Sequence, residues 1–534
     1  MTSLIAAIAR DRIRASILLG FVLIAIVQTS LFPLHVPPYL DFDSATTVIF
    51  VNNVAERGDP TYFFDQSIVY EDAFRDGWAY QFLPVAVLGA AVKTLLGIDA
   101  VNTAALLTVL SVLFGGIACL LAATVVRVTG EEDWYVVGFT FAAGWLVPTF
   151  FLLGRSGVVN FMLYGVLYWG ALLLFALYCK TGRSRYLYGI SAVLGFHLLC
   201  GYPTLYTLPI VFSAVLIAQP MWKDRVRSRH VLISMALIPV VAAVIIATIC
   251  LFLHVELADY WRGTLDFYQA RAGASVEAES TVLQRAWNFF SKQVLLDQTI
   301  IESRAENLWL HGRVLWSWLL ILLAALWGAV RAVRGRERTP RIVVGAVVAS
   351  LVLCIGFLSP ELRYMFTLTP CYVYLAAHGL GGLGQRRRWV LLGLLLALAV
   401  ESAYVARTSY SDSMKADWAH YAGQREAIDF ILAETTDPDE VILFDTAGFH
   451  ERKYHDFLYI VAYSDFRLMV PSHQPMLLAL QDGSHRIDKI YVLADPRQPE
   501  QAVDLSERGY VYHADIIDRP TGRAYTLWLN TVSR

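Results

Sequence analysis

The sequence predicts a polytopic α-helical membrane protein that ends in a small soluble α/β domain. Three observations carry this prediction: the chain is strongly apolar, its charges are missing from long stretches, and its composition changes near residue 408. Of the 534 residues, 57% are hydrophobic and 16% are charged, whereas an ordinary soluble domain carries about 25% charged residues. The mean hydropathy is +0.51. We therefore expect a transmembrane domain over residues 1–408 and a soluble domain over residues 409–534.

Several uncharged runs are long enough to cross a bilayer, whose hydrocarbon core needs about 20 apolar residues of helix. These runs cover residues 15–33, 104–126, 231–252 and, more briefly, 389–400. The first run follows three arginines but is too long for the apolar region of a signal peptide, so we expect it to stay in the protein as a helix. Taken along the whole chain, the apolar pattern predicts about 11–12 membrane segments.

Clusters of arginine and lysine predict the orientation, because these residues favour cytoplasmic loops. There are five such clusters, at residues 10–14, 180–185, 223–229, 331–338 and 386–388. With all five placed in the cytoplasm, the N-terminus is inside, while a first loop at 35–81 and a second loop at 255–310 are outside. Everything after about residue 408 is then extracytoplasmic. The chain is expected to be a multi-pass protein of the cell membrane.

The apolar segment 82–97 does not fit a simple alternation of crossings. Counting back from the cluster at 180–185 places both ends of this segment outside the cytoplasm. The alternation of inside and outside loops is preserved if this segment enters the membrane and returns on the same side, or if it lies in the interface. Pro84 and the short apolar length are compatible with either arrangement. We favour this re-entrant interpretation. The alternative, that 82–97 crosses the membrane and another segment does not, stays open.

The C-terminal part of the chain has the pattern of a soluble α/β domain. Residues 420–534 combine charged residues and turn signals with short β-rich runs at 441–444 and 490–493, and a helical pattern covers 425–433. Strand-like runs that alternate with helical patterns are typical of a small α/β fold. None of the six cysteines lies in this domain, so no disulfide is expected to stabilise it.

Acidic residues stand in the first outside loop, where the chain leaves the membrane. The sequence at 40–60 reads LDFDSATTVIFVNNVAERGDP, which predicts a short amphipathic helix over 44–57 that Gly58 ends as its C-cap. Spacing alone makes Asp43 a cap of this helix and Asp41 a solvated carboxylate. The two aspartates together are also able to hold Mg²⁺ or Mn²⁺, which prefer oxygen ligands.

This loop resembles the first-loop motif of the GT-C superfamily of glycosyltransferases. The nearest members are the protein O-mannosyltransferase and lipid A aminoarabinose transferase group, in which an Asp, usually followed by Glu, opens a helix that ends in Asn-Leu-(Ala/Leu)-Glu-x-Gly. Here the helix ends in NVAERG at 53–58. Asp43 falls on the catalytic Asp of the family, and Ser44 stands in place of the usual Glu.

Further matches to the family follow in order, and the resemblance covers roughly residues 14–380. GDPTY at 58–62 and YQFLP at 80–84, which contains Gln81, are similar to segments of mannosyltransferases that use polyprenol-phosphate-mannose. Arg155 with Asn160 stands where the family has an Arg and then an Asp. GYP at 201–203 is similar to the end of a helix that carries Thr-Lys-(Tyr/Phe)-Pro in relatives, but this chain lacks the Thr-Lys pair. A late Arg-Tyr … Pro motif is matched by Arg363, Tyr364 and Pro370.

The resemblance implies an enzyme that transfers a sugar from a polyprenyl-phosphate donor to a lipid, glycan or protein acceptor on the non-cytoplasmic face. Asp43 would act as the general base that takes the proton of the attacking hydroxyl. Cations would stabilise the leaving phosphate. The resemblance implies that no cofactor is required. A divalent metal held by Asp41 and Asp43 is the alternative, because acidic pairs hold such a metal in the oligosaccharyltransferase branch. The substrate-binding residues that the resemblance implies are Asp41, Gln81, Arg155, Asn160, Arg363 and Tyr364.

Simpler interpretations and two rival functions remain open. Arg155 and Arg363 are also placed to reach lipid headgroups, and the aromatics of the loop 255–310 fit an interfacial belt as well as a lid over the lipid substrate. His254 and Glu256 are expected to be an interfacial pair. A transporter or flippase of lipid-linked sugars would need charged residues at mid-membrane depth. A non-enzymatic scaffold whose tail binds a partner would tolerate substitution of Asp43.

The expected partners are the lipid-linked donor, the acceptor and membrane lipids. The formal net charge is −2 and no basic stripe stands out beyond the short loops, so nucleic acid is not expected as a partner.

Overall fold

A computed structural model gives the fold, and every structural statement below concerns the residues that it describes. These are residues 42–59, 83–99, 102–147, 159–200, 228–265, 281, 283–284, 316–335, 340–345, 347–348, 366–405, 423–435, 442–446, 468–469, 489–519 and 522–531. The chain divides into two compact units. One comprises Met1–Pro38, Leu107–Asp259 and Phe267–Tyr410, and the other comprises Tyr39–Leu106, Tyr260–Asp266 and Ser411–Arg534.

The described part of the chain is mostly helical. The helices that precede the C-terminal domain are α1 (Phe42–Asn52), α2 (Leu83–Leu96), α3 (Thr103–Thr129), α4 (Trp134–Leu146), α5 (Val159–Thr181), α6 (Arg185–Leu199), α7 (Ser228–Phe252), α8 (Trp316–Arg334), α9 (Thr369–Gly379) and α10 (Arg386–Val405). A π-helical turn, Asn53–Arg57, continues α1, and 3₁₀ turns at Phe366–Leu368 and Leu380–Leu383 flank α9. Residues 257–265 and 340–345 are also helical.

Four of these helices contain segments long and apolar enough to cross a membrane. The segments are Thr103–Thr129 in α3, Met162–Thr181 in α5, Arg229–Phe252 in α7 and Trp316–Arg334 in α8. The helices expected from the uncharged runs 104–126 and 231–252 are therefore confirmed as helices, with ends within three residues of the expected ones. The predicted first segment at 15–33 lies outside the described residues.

Large apolar side chains on α7, α8 and α10 point away from the rest of the protein. They include Leu232, Val244, Leu251, Phe252, Leu326, Trp327, Trp389, Leu396 and Val400. Soluble proteins seldom expose contiguous apolar surfaces of this extent. Such faces suit contact with lipid chains, and they explain why so much apolar sequence is not used to build an internal core.

Helices α4 and α10 lie side by side and run in the same direction. At their beginnings, a guanidinium nitrogen of Arg387 is 3.6 Å from the Asp133 carboxylate, and the Arg388 guanidinium lies 4.5 Å from the centre of the Tyr135 ring. At their other ends, the Ser402 hydroxyl donates a hydrogen bond of 2.5 Å to the Leu146 carbonyl. The arginine cluster at 386–388 therefore lies at the end of the helices where α4 begins.

Helix α8 runs antiparallel to α10, and its arginines reach the same end as that cluster. The Glu401 carboxylate, near the end of α10, accepts a hydrogen bond of 3.0 Å from the backbone nitrogen of Ser317, near the start of α8. At the opposite end, a guanidinium nitrogen of Arg331 comes within contact distance of Gly381, just after α9. The relative directions of these helices agree with those that the arginine clusters predict.

The helices α5, α6 and α7 also have the relative directions expected from the sequence. The Tyr164 hydroxyl, near the start of α5, donates to the carbonyl of Cys200 at the end of α6, so the two helices are antiparallel. The hydroxyls of Ser191 in α6 and Ser234 in α7 are 2.8 Å apart, each seven residues into its helix. A Cβ built on Gly195 in α6 would likewise lie 3.0 Å from the Ile238 carbonyl oxygen in α7, at equal depth, so the two helices are parallel. This direction agrees with the placement of the basic clusters at 180–185 and 223–229 on the same side.

Two glycines allow α8 and α9 to cross in backbone contact. A Cβ built on Gly328 would lie 1.9 Å from the Leu375 carbonyl oxygen, and one built on Gly379 would lie 2.5 Å from the Ala324 carbonyl oxygen. Small residues permit such close approach of helices in membranes, where van der Waals packing contributes strongly to association. No side chain larger than hydrogen fits at either position without moving a helix.

We therefore expect Gly328→Ala to destabilise the protein by about 1–3 kcal/mol, the usual cost of overpacking. Gly393→Ala is the matched control, because a Cβ at this position in α10 meets nothing within 4 Å and alanine favours a helix by up to about 1 kcal/mol over glycine. Thermal unfolding in detergent measures both variants. Equal melting temperatures for the two would contradict the backbone contact.

The C-terminal domain contains the sheet that the sequence predicts. Its elements are α11 (Gln424–Glu434), β1 (Ile442–Thr446), β2 (Leu468–Met469), β3 (Lys489–Ala494), α12 (Pro499–Glu507), β4 (Val511–Ile517) and β5 (Ala524–Thr531). The strand order is β2-β1-β3-β5-β4. Strands β2, β1 and β3 are parallel, while β5 is antiparallel to both β3 and β4. The expected β-rich runs fall in β1 and β3 and the expected helix is α11, which confirms a small α/β domain.

Candidate functional site

Helix α1 carries the proposed catalytic aspartate in its first turn. The helix begins at Phe42, two residues before the predicted start, so Asp43 is its second residue instead of the residue before it. Helix boundaries commonly vary by one or two residues. A carboxylate in the first turn is still stabilised by the helix dipole, by about 0.3–1 kcal/mol when it is exposed. The side chain of Asp43 itself lies outside the described part.

The prediction that this helix is amphipathic is wrong. Residues 47–53 are buried without a break, and the exposed fraction of Val48, Ile49, Phe50 and Val51 is 2% or less. Seven consecutive residues make nearly two turns and so face every direction around the axis. Because α1 is buried on all sides over these residues, the surrounding protein holds the helix in place. Its first turn is therefore the start of a packed helix and not part of a surface helix.

The end of α1 widens into the π-helical turn Asn53–Arg57, which Gly58 closes. Gly58 has the left-handed φ of 67°, so its predicted role as the C-cap is confirmed. Single π-helical turns are rare and frequently occur at functional sites. In this chain the turn includes Glu56, the acidic residue of the NVAERG motif, which forms an ion pair with α2.

That ion pair joins Glu56 to Lys93, a lysine inside an otherwise apolar helix. The Lys93 ammonium donates a hydrogen bond to the Glu56 carboxylate. The Lys93 side chain is 3% exposed and the Glu56 side chain is 38% exposed. A charged ammonium cut off from water needs a partner, because its desolvation alone is very costly. Glu56 supplies that partner and fixes the π-helical turn against α2.

A second polar contact joins α1 to the start of α3. The Thr103 hydroxyl lies 2.7 Å from the Asn52 side-chain oxygen and 3.1 Å from the Asp99 carbonyl, and its single proton is available to either acceptor. Asn52 and Thr103 are both buried. The Asp99 carboxylate accepts a hydrogen bond of 2.8 Å from the backbone nitrogen of Asn102, the residue before α3. Together with the Glu56–Lys93 pair, these contacts hold α1, α2 and α3 to one another.

The structure describes only some of the predicted site residues. Asp43 and Asn160 lie on α1 and α5, but their side chains are outside the described part. The remaining predicted residues, Asp41, Gln81, Arg155, Arg363 and Tyr364, lie wholly outside it. Their mutual distances therefore remain predictions. Among the described residues, no group of three or more His, Cys, Asp or Glu side chains is arranged to hold a metal, and Asp41 does not belong to that set.

Sequence reasoning overlooked Lys93, although a signal for it exists. A lone lysine in the apolar segment 82–97 is unusual, because an ionisable residue within a membrane segment is costly unless it is paired or functional. Its partner was not evident, since Glu56 precedes it by 37 residues. Asn52 was likewise not singled out, because its partner Thr103 is 51 residues away.

Charged residues in the four candidate membrane segments stand only near the helix ends. They are Arg127 in α3, Lys180 in α5, Arg229 in α7, and Arg331 and Arg334 in α8. The described part of the chain is thus largely helical, with four helices apolar and long enough to cross a membrane and a polar cluster of Asn52, Glu56, Lys93 and Thr103 at the end of α1. No protein-family model matches this chain, and no curated protein is significantly similar to it.

Proposed function

We propose that this chain is a membrane glycosyltransferase of the GT-C type, which transfers a sugar from a polyprenyl-phosphate donor to an acceptor on the non-cytoplasmic face. One observation supports the proposal most: Asp43 lies in the first turn of a helix that is buried on all sides and is bonded to its neighbours at its other end. A general base is effective only when it is held in a productive geometry. The Glu56–Lys93 pair and the Asn52–Thr103 hydrogen bond supply that support.

In the proposed reaction, an acceptor hydroxyl attacks the anomeric carbon of the sugar. The bond between that carbon and the phosphate oxygen breaks, Asp43 takes the hydroxyl proton, and polyprenyl phosphate leaves. Arg155 and Arg363 neutralise charge on the leaving phosphate, and Asp41, Gln81, Asn160 and Tyr364 complete the contacts with the substrates. The reaction requires no cofactor. In the alternative form of the proposal, Asp41 and Asp43 together hold a divalent cation.

Helix α2 supports the re-entrant or interfacial placement of the segment 82–97. Its 14 residues extend over about 21 Å, which is short of the roughly 30 Å of a bilayer core. At its end Leu95 and Leu96 are 84% and 63% exposed, while nearby Lys93 is buried. An apolar tip that faces outwards beside a buried charge suits a helix whose end meets lipid.

The proposed topology places the N-terminus in the cytoplasm and the C-terminal domain outside, in the cell membrane. Labelling with an impermeant thiol reagent in a cysteine-free background is the test. Ser506→Cys in α12 is expected to react from outside intact cells, whereas Gln385→Cys before α10 is expected to react only after permeabilisation. Both positions are exposed, so reactivity reports their side of the membrane. Labelling of both in intact cells, or of Gln385→Cys alone, would overturn the orientation.

The transferase itself is tested with the purified chain in lipid nanodiscs and radiolabelled polyprenyl-phosphate hexoses. We expect sugar to pass to an acceptor and polyprenyl phosphate to accumulate in equal amount. Movement of the labelled lipid across a vesicle membrane without release of sugar would instead support the flippase. The position of charges only at the ends of the candidate membrane segments argues against that rival, because a transport path needs polar groups at mid-depth.

A further inference from the structure

Helix α7 ends in a turn that separates it from the short helix at residues 257–265. His254 has the left-handed φ of 56°, and the backbone nitrogen of Val255 donates a hydrogen bond of 2.9 Å to the Cys250 carbonyl. This six-residue bond with a left-handed residue inside it is the Schellman motif, in which glycine is the usual residue. Helix α7 therefore ends at this turn, and a new helix begins within five residues.

The helix at residues 257–265 has three distinct faces. Its buried face carries Tyr260 and Thr264, which are 2% and 8% exposed. A second face carries Leu257, Trp261 and Leu265, which are 41%, 41% and 55% exposed. These three residues recur at intervals of four, so they form one apolar stripe. The third face is polar.

The polar face lies beside the apolar stripe and away from the buried face. It carries the half-buried Asp259 and the exposed Arg262. Arg262 follows Trp261 by about 100°, just over a quarter of a turn, and Asp259 lies further round the helix. One helix thus meets three surroundings: protein, an apolar medium and water. That arrangement is expected where a helix lies along the boundary between a bilayer and water.

We propose that the helix at residues 257–265 lies on the surface of the bilayer, with Leu257, Trp261 and Leu265 inserted among the lipids. The helix begins within five residues of the end of α7, where Leu251 and Phe252 are themselves 79% and 78% exposed and suit contact with lipid. Tryptophan is enriched at this depth, where its ring is apolar and its N–H reaches polar groups. This inference concerns membrane contact and does not depend on transferase activity.

Spin labels placed on cysteines of the full chain in nanodiscs test the inference. The native cysteines are first replaced, and labels are introduced by Trp261→Cys, Leu265→Cys and, as the matched control on the polar face, Arg262→Cys. Collision with oxygen, which concentrates in lipid, is compared with collision with a water-soluble nickel chelate. Val244→Cys on the exposed side of α7 gives the reference value for the membrane interior.

We expect the ratio of oxygen to nickel collisions to be several-fold higher at Trp261→Cys and Leu265→Cys than at Arg262→Cys, and highest at Val244→Cys. Equal, water-like ratios at all positions would overturn the inference. Protection of the stripe from both reagents would also overturn it, because a protein surface would then cover the helix. If Trp261→Cys does not keep the gel-filtration profile of the parent, Leu257→Cys replaces it on the same stripe.

Discussion

Asp43→Asn is expected to fold like the parent and to reduce the rate of sugar transfer by about 10²–10⁴-fold, the usual effect of removing a general base. Asparagine keeps the shape of aspartate and much of its ability to accept backbone hydrogen bonds at a helix start. The helix dipole favours the charged carboxylate, while a nearby lipid phosphate would favour the protonated one. The proposed role requires Asp43 to be ionised when the acceptor attacks.

Asp41→Asn is the matched control for that experiment. It removes an equal charge two residues away and is expected to cost much less, because no proton transfer depends on Asp41. Initial rates with the same labelled donor compare the two variants. A similar loss in both, together with dependence on added divalent cations, would favour the metal-bound form of the site. Full activity of Asp43→Asn would remove the main support for a transferase.

Breaking the Glu56–Lys93 pair is expected to have the largest effect on stability, and the effect should be asymmetric. Glu56→Leu leaves the ammonium of Lys93 buried without a partner, which costs up to about 3–5 kcal/mol. Lys93→Met leaves a carboxylate that is 38% exposed and can be hydrated, so its cost should be about 1 kcal/mol or less. The double variant Glu56→Leu with Lys93→Met should recover most of the lost stability, because an apolar pair replaces the buried charge.

Thermal unfolding in detergent measures these variants, and Arg508→Ala is the control. Arg508 forms a solvent-exposed pair with Asp504 at a distance of 3.0 Å, whose loss should cost about 0.5 kcal/mol or less. Transfer rates should fall with Glu56→Leu, since a displaced α1 moves the base out of position. If Lys93→Met proves as harmful to transfer as Asp43→Asn while its melting temperature is unchanged, Lys93 acts on the substrate and the supporting role is wrong.

The sequence predicted those features that depend on local composition. The helices α3 and α7 were predicted within a few residues of their ends because uncharged apolar runs are a local signal. Gly58 was identified as a helix end because a left-handed residue after a helix is usually glycine. The strands β1 and β3 were found from short β-rich runs, for the same reason.

The features that escaped prediction depend on contacts between distant residues. Asn52 and Thr103 are 51 residues apart, and no periodicity joins them. The helix α1 was predicted to be amphipathic, yet its polar residues Thr47, Asn52 and Asn53 are all buried. Polar side chains are buried when the fold provides partners, and a single sequence does not show which partners those are.

The proposed function is tested most directly by the structure of the full chain in nanodiscs with a polyprenyl-phosphate sugar bound. We expect the phosphate on the non-cytoplasmic side, beside the first turn of α1. Arg155 or Arg363 should then lie within ion-pair distance, about 4 Å, of a phosphate oxygen, with the Asp43 carboxylate facing the anomeric carbon across the space for an acceptor. A phosphate bound at the arginine-rich end, or one bound away from Asp43, would contradict the proposed function.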